Sequence, residues 1–239
     1  MRQSNKYIII YASVLTIVCG GLLAIAAEGL KERQQFNVAL EQKKNILSTV
    51  VTLTENQDVN ALYAQRVNAF VIDFQGNIKD DVKPQDVNLA IEYKKTPENR
   101  LLPVYEFKSE SDPNKVENVV LPVYGYGLWN DIWGFVALES DLNTIKGVKF
   151  DHKGETPGLG ARIESDAEVQ ARYKGKSIYD GDKLISVNMM KGEGIDYSND
   201  KHKVDGMSGA TLTAKGVNNM LLDYFQSYSN YLKKKKTNS

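Results

Sequence analysis

The sequence predicts an α+β domain behind one transmembrane helix. A charge-free apolar run near the N-terminus, β-like runs after Val119 and a helical pattern that closes the chain carry that expectation. The predicted organisation is a short N-terminal segment (1–6), a membrane span (7–27), a helical connector (28–55), one α+β domain (56–232) and a lysine-rich tail (233–239).

Tyr7 to Ala27 runs 21 residues without a charged side chain. At the helical rise it spans roughly 30 Å, the thickness of a hydrocarbon core. A cleaved signal peptide is the alternative, and Ala24-Ile25-Ala26 resembles a cleavage site. A signal core is usually only about 7–15 residues long, so the length favours a retained anchor. Arg2 and Lys6 precede the run with no acid before Glu28, which places the N-terminus in the cytoplasm and the domain outside. Gly20-Gly21 suits packing of the span against a neighbouring helix. Cys19, the single cysteine, reads as a small packing residue, and no internal disulfide is possible.

Past the span, Leu30, Phe36, Ala39, Leu40, Ile46 and Leu47 recur at helical intervals among Lys, Glu and Gln, extending a helix to about Leu53 with room for a break. A second helix is expected over 61–70, a strand over 69–74 and a turn at Gln75-Gly76-Asn77. Thr96 to Pro122, with its prolines and a Ser-Asp-Pro-Asn turn, reads as connecting loop with short strands. Val119 to Trp129, Ile132 to Ser140 and Thr144 to Phe150 read as strands, the last two joined by a turn at Asp141-Leu142-Asn143. A helix at 167–173, a strand at 183–190 and a closing helix at 216–232 complete the expectation.

Thirty basic residues balance thirty acidic ones. With Arg2, Lys6 and Lys233 to Lys236 set aside, the body carries six more acids than bases, which is no footprint for nucleic acid. His152 and His202 lack Cys or His partners at ligand spacing, so no metal site is expected. Ser208 has no base identifiable from sequence, which argues against a nucleophilic serine.

The segment richest in chemistry is Asp205-Gly206-Met207-Ser208-Gly209-Ala210-Thr211. Its small residues let backbone N–H groups approach an anion. Thr213 reads as the N-cap of a helix beginning at Ala214, whose terminus favours negative charge and to which Lys215 adds a cation. An ordinary capped loop is the plain alternative, but capping requires neither the leading Asp nor the closing Ala-Thr.

The heptad resembles the flavinylation motif Asp-x-x-Ser/Thr-Gly-Ala-Thr, in which the phosphate of FMN esterifies the last threonine. Gly127-Leu128-Trp129, the Gly134 to Glu139 strand and Gly154-Glu155-Thr156-Pro157-Gly158-Leu159-Gly160 occur in the matching order. With them, most of the chain resembles the C-subunit family of the bacterial sodium-translocating NADH:quinone oxidoreductase. Likeness is weakest over about 56–118, and Ala161 stands where the usual pattern has another glycine. The Glu-Thr-Pro-Gly-Leu-Gly run is shared with the G subunit of the Rnf ferredoxin:NAD complex, which stays the alternative. A third reading is an anchored, non-redox extracytoplasmic binding module.

The resemblance implies an extracytoplasmic FMN-binding α+β domain on the bacterial inner membrane, facing the periplasm. It implies FMN covalently held on Thr211, Asp205 helping to present the acceptor to a flavin transferase, and other subunits of a membrane-bound complex as partners. Ser208, Gly209, Ala210 and Thr213 would form the phosphate surroundings. Leu159, Thr156 and Gly158 would lie against the flavin, Trp129 would flank it, and Glu155 would contact it or fix its loop. Core packing for Trp129 and Leu159, and turn formation for Thr156, are the plain alternatives. No strand-linked Gly-x-Gly-x-x-Gly fingerprint appears, which assigns NADH to another subunit.

Overall fold

The structure, a computed structural model, describes residues 4–237. Arg2, part of the charge argument for orientation, and the last two residues of the tail lie outside them. The chain divides into two compact units, Met1–Lys43 and Lys44–Ser239.

Helix α1 runs unbroken from Asn5 to Ser48, so the span and most of the expected connector are one helix. It is long and apolar enough to cross a membrane. The hydroxyl of Thr16 donates to the carbonyl of Ala12 at 2.8 Å, so this polar group within the apolar run is satisfied inside its own helix. Cys19 is exposed on that helix.

The second unit is built on a five-stranded antiparallel meander in the order β1-β2-β3-β4-β5. Its strands are Val67–Ile72, Leu102–Lys108, Val116–Tyr126, Asp131–Glu139 and Ile145–His152. One face packs against the long final helix: Val119, Leu121, Val123, Ile132, Val136 and Leu138 join Val217, Leu221, Tyr224, Phe225 and Tyr228 in one core. The opposite face buries Tyr105, Phe107, Val120, Phe135 and Ala137 against Ile46, Leu47 and residues that follow them. Along the middle of β2, β3 and β4, odd and even positions thus serve different cores.

That double burial corrects the reading of 96–122 as connecting loop with only short strands. β2 and β3 are full strands at the centre of the sheet, buried on both faces, so neither shows the apolar–polar alternation of a half-exposed strand. The prolines have a place in it. The β2–β3 register pairs Tyr105 with Val120, and its continuation sets Pro103 opposite Pro122. Two prolines bring no N–H to the ladder, and the buried Tyr228 hydroxyl supplies the missing donor, lying 2.8 Å from the Pro103 carbonyl and 3.3 Å from that of Pro122.

Other expected elements shift. Helix α2 is Val59–Arg66, capped by the Asp58 carboxylate on the N–H groups of Asn60 and Ala61. It ends where β-branched Val67 opens β1, not at residue 70. A short helix, α3, occupies Leu89–Glu92. The Asp141-Leu142-Asn143 turn stands as expected: Asp141 accepts from the N–H groups of Asn143 and Thr144, and Leu142 has φ +55°. After β5 come α4 (Arg162–Ser165) and α5 (Ala167–Ala171). The strand expected at 183–190 is broken at Ser186, whose φ is +67°, into β7 (Lys183–Leu184) and β8 (Asn188–Met189). β7 pairs with β6 (Tyr179–Asp180), and β8 runs parallel to β9 (Lys203–Val204).

The closing helix α6 spans Thr211–Thr237, longer at both ends than its apolar pattern suggests. It takes in the lysines of the expected tail. Lys234 donates to Asn77 at 2.7 Å, and Lys235 to Glu106, while the positive charges complement the helix C-terminus.

Tyr228→Phe is expected to lower stability by about 1–3 kcal/mol, the cost of leaving buried carbonyls unpaired. Tyr224→Phe is the control. Its buried hydroxyl has no hydrogen-bond partner among the described residues, so its loss should be neutral or slightly stabilising. Urea unfolding of both variants measures the difference.

Candidate functional site

The heptad lies at the start of α6. Gly209, at φ +77°, turns the chain into the helix, and the N–H of Ala214 makes a first helical bond to the Ala210 carbonyl. Thr211 is therefore the first helical residue, and it is exposed. The expectation that Thr213 caps a helix starting at Ala214 is overturned: α6 starts three residues earlier and Thr213 is buried in its first turn.

Thr213 has other work. Its Oγ1 lies 2.5 Å from Glu155 Oε2, to which it donates, and 3.1 Å from the Leu159 carbonyl. Glu155 Oε1 accepts the N–H of Trp129 at 2.9 Å and that of Asn130 at 3.4 Å. The N–H of Leu128 also bonds to this carboxylate. The N–H of Glu155 itself donates to His152 Nδ1 at 3.1 Å. One carboxylate, 4 % exposed, joins the β3–β4 turn, the loop after β5 and the first turn of α6. Of the two roles read for Glu155, the geometry shows the loop-fixing one.

Burial alone would raise the pKa of Glu155. The hydrogen bonds from Thr213 and the N–H groups of Trp129, Leu128 and Asn130 outweigh it and hold the carboxyl below its ordinary value. Gly160 makes room for the arrangement: a Cβ there would collide with Thr213 Oγ1, and its φ of +150° disfavours any side chain.

The loop carrying Thr156, Gly158 and Leu159 abuts the heptad. A Cβ on Gly209 would stand 2.9 Å from the Gly158 carbonyl and 4.0 Å from Leu159 Cδ2. Thr156 is exposed, and its carbonyl accepts from Leu159 and Ala161, so it also forms the turn. Trp129, 64 % exposed, is not a core residue. Leu159 and Leu212 are 40 % and 57 % exposed. Ala210 is buried and Ser208 exposed, with the Ser208 N–H donating to Glu193 at 3.1 Å. Asp205 accepts from the N–H groups of Gly194 (2.8 Å), Ile195 (3.2 Å) and Gly206 (3.0 Å), bracing the loop before the heptad.

Sequence reasoning missed Arg162, Arg172 and Glu193. Arg172 donates to the carbonyls of Asp205 and Gly206 and pairs with Glu193, which also pairs with Arg162. Glu193 had a faint signal, standing between two glycines; the arginines had none.

This arrangement suits a phosphate ester. The first turn of α6 contains no acid, so its positive end is uncompensated from within the helix, and a threonine hydroxyl stands there. Exposed Leu159 offers an apolar surface beside it for a planar ring. Thr211, Gly158, Leu159, Ser208, Gly209, Ala210 and Thr213 are thus gathered in one place, with Trp129 and Glu155 tied in through the carboxylate.

The fold joins a helix long and apolar enough to cross a membrane to an α+β domain, and the FMN-binding domain family matches residues 127–226. The chain belongs to the C-subunit family of the Na(+)-translocating NADH-quinone reductase. It is 34% identical to the C subunit of Pseudomonas aeruginosa over 92% of this chain and 91% of the relative. It is 32% identical to that of Haemophilus ducreyi, over 89% and 86% respectively. The crystal structure of the C subunit from Parabacteroides distasonis superposes with a TM-score of 0.72 at 28% identity, covering 85% of this chain and 96% of that one. That of Shewanella oneidensis NqrC gives 0.71 at 29% identity, covering 82% and 97%.

Because its folded pKa is depressed, Glu155 contributes stability that is intact above the unfolded carboxylate pKa of about 4.3. That contribution diminishes as pH falls below this value and is gone once the folded carboxyl also protonates. Glu155→Gln is expected to lower Tm at neutral pH and to flatten the acid limb of a Tm-versus-pH curve.

Proposed function

We propose that this chain is an electron-relay subunit of a membrane-bound, sodium-translocating NADH:quinone reductase, carrying FMN as a phosphoester on Thr211. The observation that carries the reading is Thr211 itself. It closes a complete flavinylation heptad, and its side chain is exposed at the acid-free N-terminus of a helix whose body is buried. The family supports the quinone reductase over the Rnf complex and over a non-redox module.

FMN supplies the redox chemistry when bound; the chain anchors and orients it. In maturation a flavin transferase joins the Thr211 oxygen to the FMN phosphorus of FAD, AMP departs, and the threonine proton is lost. Asp205 serves that step by holding the backbone ahead of the acceptor through its three N–H bonds. The first turn of α6, with Ser208, Gly209 and Ala210 before it, receives the phosphate, and Thr213 fixes that turn from within. Leu159 and Thr156 contact the flavin, with Gly158 permitting the approach of their loop, and Trp129 flanks it.

Tyr7 to Ala27 anchors the chain in the bacterial inner membrane, with the N-terminus in the cytoplasm and the domain in the periplasm. That run holds no acidic residue, so sodium crosses elsewhere in the complex. NADH binds another subunit, and electrons reach and leave this one through neighbouring redox centres.

Protein purified from its native membrane, beside Thr211→Val, tests the attachment by intact mass and in-gel flavin fluorescence. The native chain should carry one FMN and fluoresce, and the variant should do neither while folding normally. An unmodified native chain from membranes that contain the transferase would overturn the reading.

A further inference from the structure

Two guanidinium groups meet on one carboxylate beside the heptad. Arg162 Nη1 lies 2.8 Å from Glu193 Oε1 and 2.9 Å from Oε2, and Arg172 Nη2 lies 3.2 Å from Oε1. The Ser208 N–H, three residues ahead of Thr211, completes the set at 3.1 Å from Oε2. Two fixed cations and a backbone N–H converging on a single anion form an anion site, and here the chain's own carboxylate fills it.

The carboxylate lies at the end of a rotatable side chain on an exposed segment whose backbone Asp205 holds at Gly194 and Ile195. Residues 191–196 are exposed, and Glu193 stands between Gly192 at φ +91° and Gly194 at φ +92°. Both are conformations glycine adopts readily. The arginines are held independently of Glu193. Asp166 accepts from Arg162 at 2.7 Å and 3.0 Å, and the Asp205 and Gly206 carbonyls hold Arg172. Withdrawal of Glu193 therefore leaves the donors in place, with the carboxylate of Asp205 3.9 Å from Arg172 as the nearer remaining acid on that side.

We infer that Arg162, Arg172 and the Ser208 N–H form a phosphate site that Glu193 closes in the absence of ligand. Its ligand class is the phosphate of a flavin nucleotide. Two sources share that chemistry: the pyrophosphate of the incoming FAD, and the phosphodiester already formed on Thr211. A phosphate carries more charge and more acceptor oxygens than a carboxylate and matches the planar arginine forks. The assignment rests on the flavinylation reading above, and the test separates the two.

The experiment is calorimetric titration of inorganic phosphate and of pyrophosphate into the full-length, unflavinylated chain at constant ionic strength. Glu193→Gln, which keeps size and removes the competing charge, should bind about tenfold more tightly than the unsubstituted chain, the worth of one charge-assisted contact. Adding Arg162→Gln should abolish the gain while leaving the Arg172 bonds to the heptad intact. Amide exchange at Ser208 supplies a second reading: faster in Glu193→Gln, and slowed again by added phosphate. Equal affinity in the two chains, or a gain that survives Arg162→Gln in a normally folded protein, would overturn the inference whether or not Thr211 carries FMN. Repeating the titration on the flavinylated Glu193→Gln chain separates the sources. Lost binding assigns the site to the attached phosphodiester, and retained binding assigns it to the FAD donor.

Discussion

Glu155 is the constraint on which the site depends. Three segments far apart in sequence reach it: the turn after β3, its own loop after β5, and the start of α6. A buried carboxylate is costly unless it is hydrogen-bonded, and here the bonds that satisfy it also fix the surroundings of Thr211. The loop bearing Leu159 lies against the heptad because Thr213 contacts Glu155 and the Leu159 carbonyl together. A short apolar side chain at 155 would release all three segments, whereas a change at exposed Trp129 would alter one surface.

The remainder of the unit makes that attachment rigid. α6 buries Val217, Leu221, Tyr224, Phe225 and Tyr228 against the sheet, each worth about 1.5–3 kcal/mol as burial. Thr211 and Leu212 are therefore the exposed end of a well-anchored rod. The opposing prolines of β2 and β3 would weaken the sheet where α6 crosses it, and the Tyr228 hydroxyl repairs that place from the helix side. Sheet and helix are tied by the same residue that completes the ladder.

Much of this was legible in the sequence. The apolar run of α1, the β3–β5 meander and the body of α6 follow from periodicity and turn residues. The heptad, with its family resemblance, pointed to Thr211. What was illegible has physical causes. Burial of β2 on both faces erased its alternation, and the prolines of 96–122 resembled loop residues although the Tyr228 hydroxyl serves the carbonyls of two of them. The start of α6 was misplaced because Thr213 has the chemistry of a cap, yet that chemistry is spent on Glu155. Arg162, Arg172 and Glu193 meet only through tertiary folding, and no spacing in the chain announces them. Glu155 was placed on the right loop, but the bonds by which it braces three segments are visible only in the structure.

The Thr213 hydrogen bond to Glu155 thus ties the start of α6 to a carboxylate that also holds the 127–130 turn and its own loop around the acceptor. Hydrogen–deuterium exchange on the full-length chain in detergent, comparing Thr213→Val with the unsubstituted protein, reads that coupling without intermediaries. Protection should fall together in segments 127–130, 154–160 and 205–212, while β4 and the middle of α6 keep theirs. Loosening confined to the first turn of α6, with the other two segments unchanged, would show that the three loops are held separately.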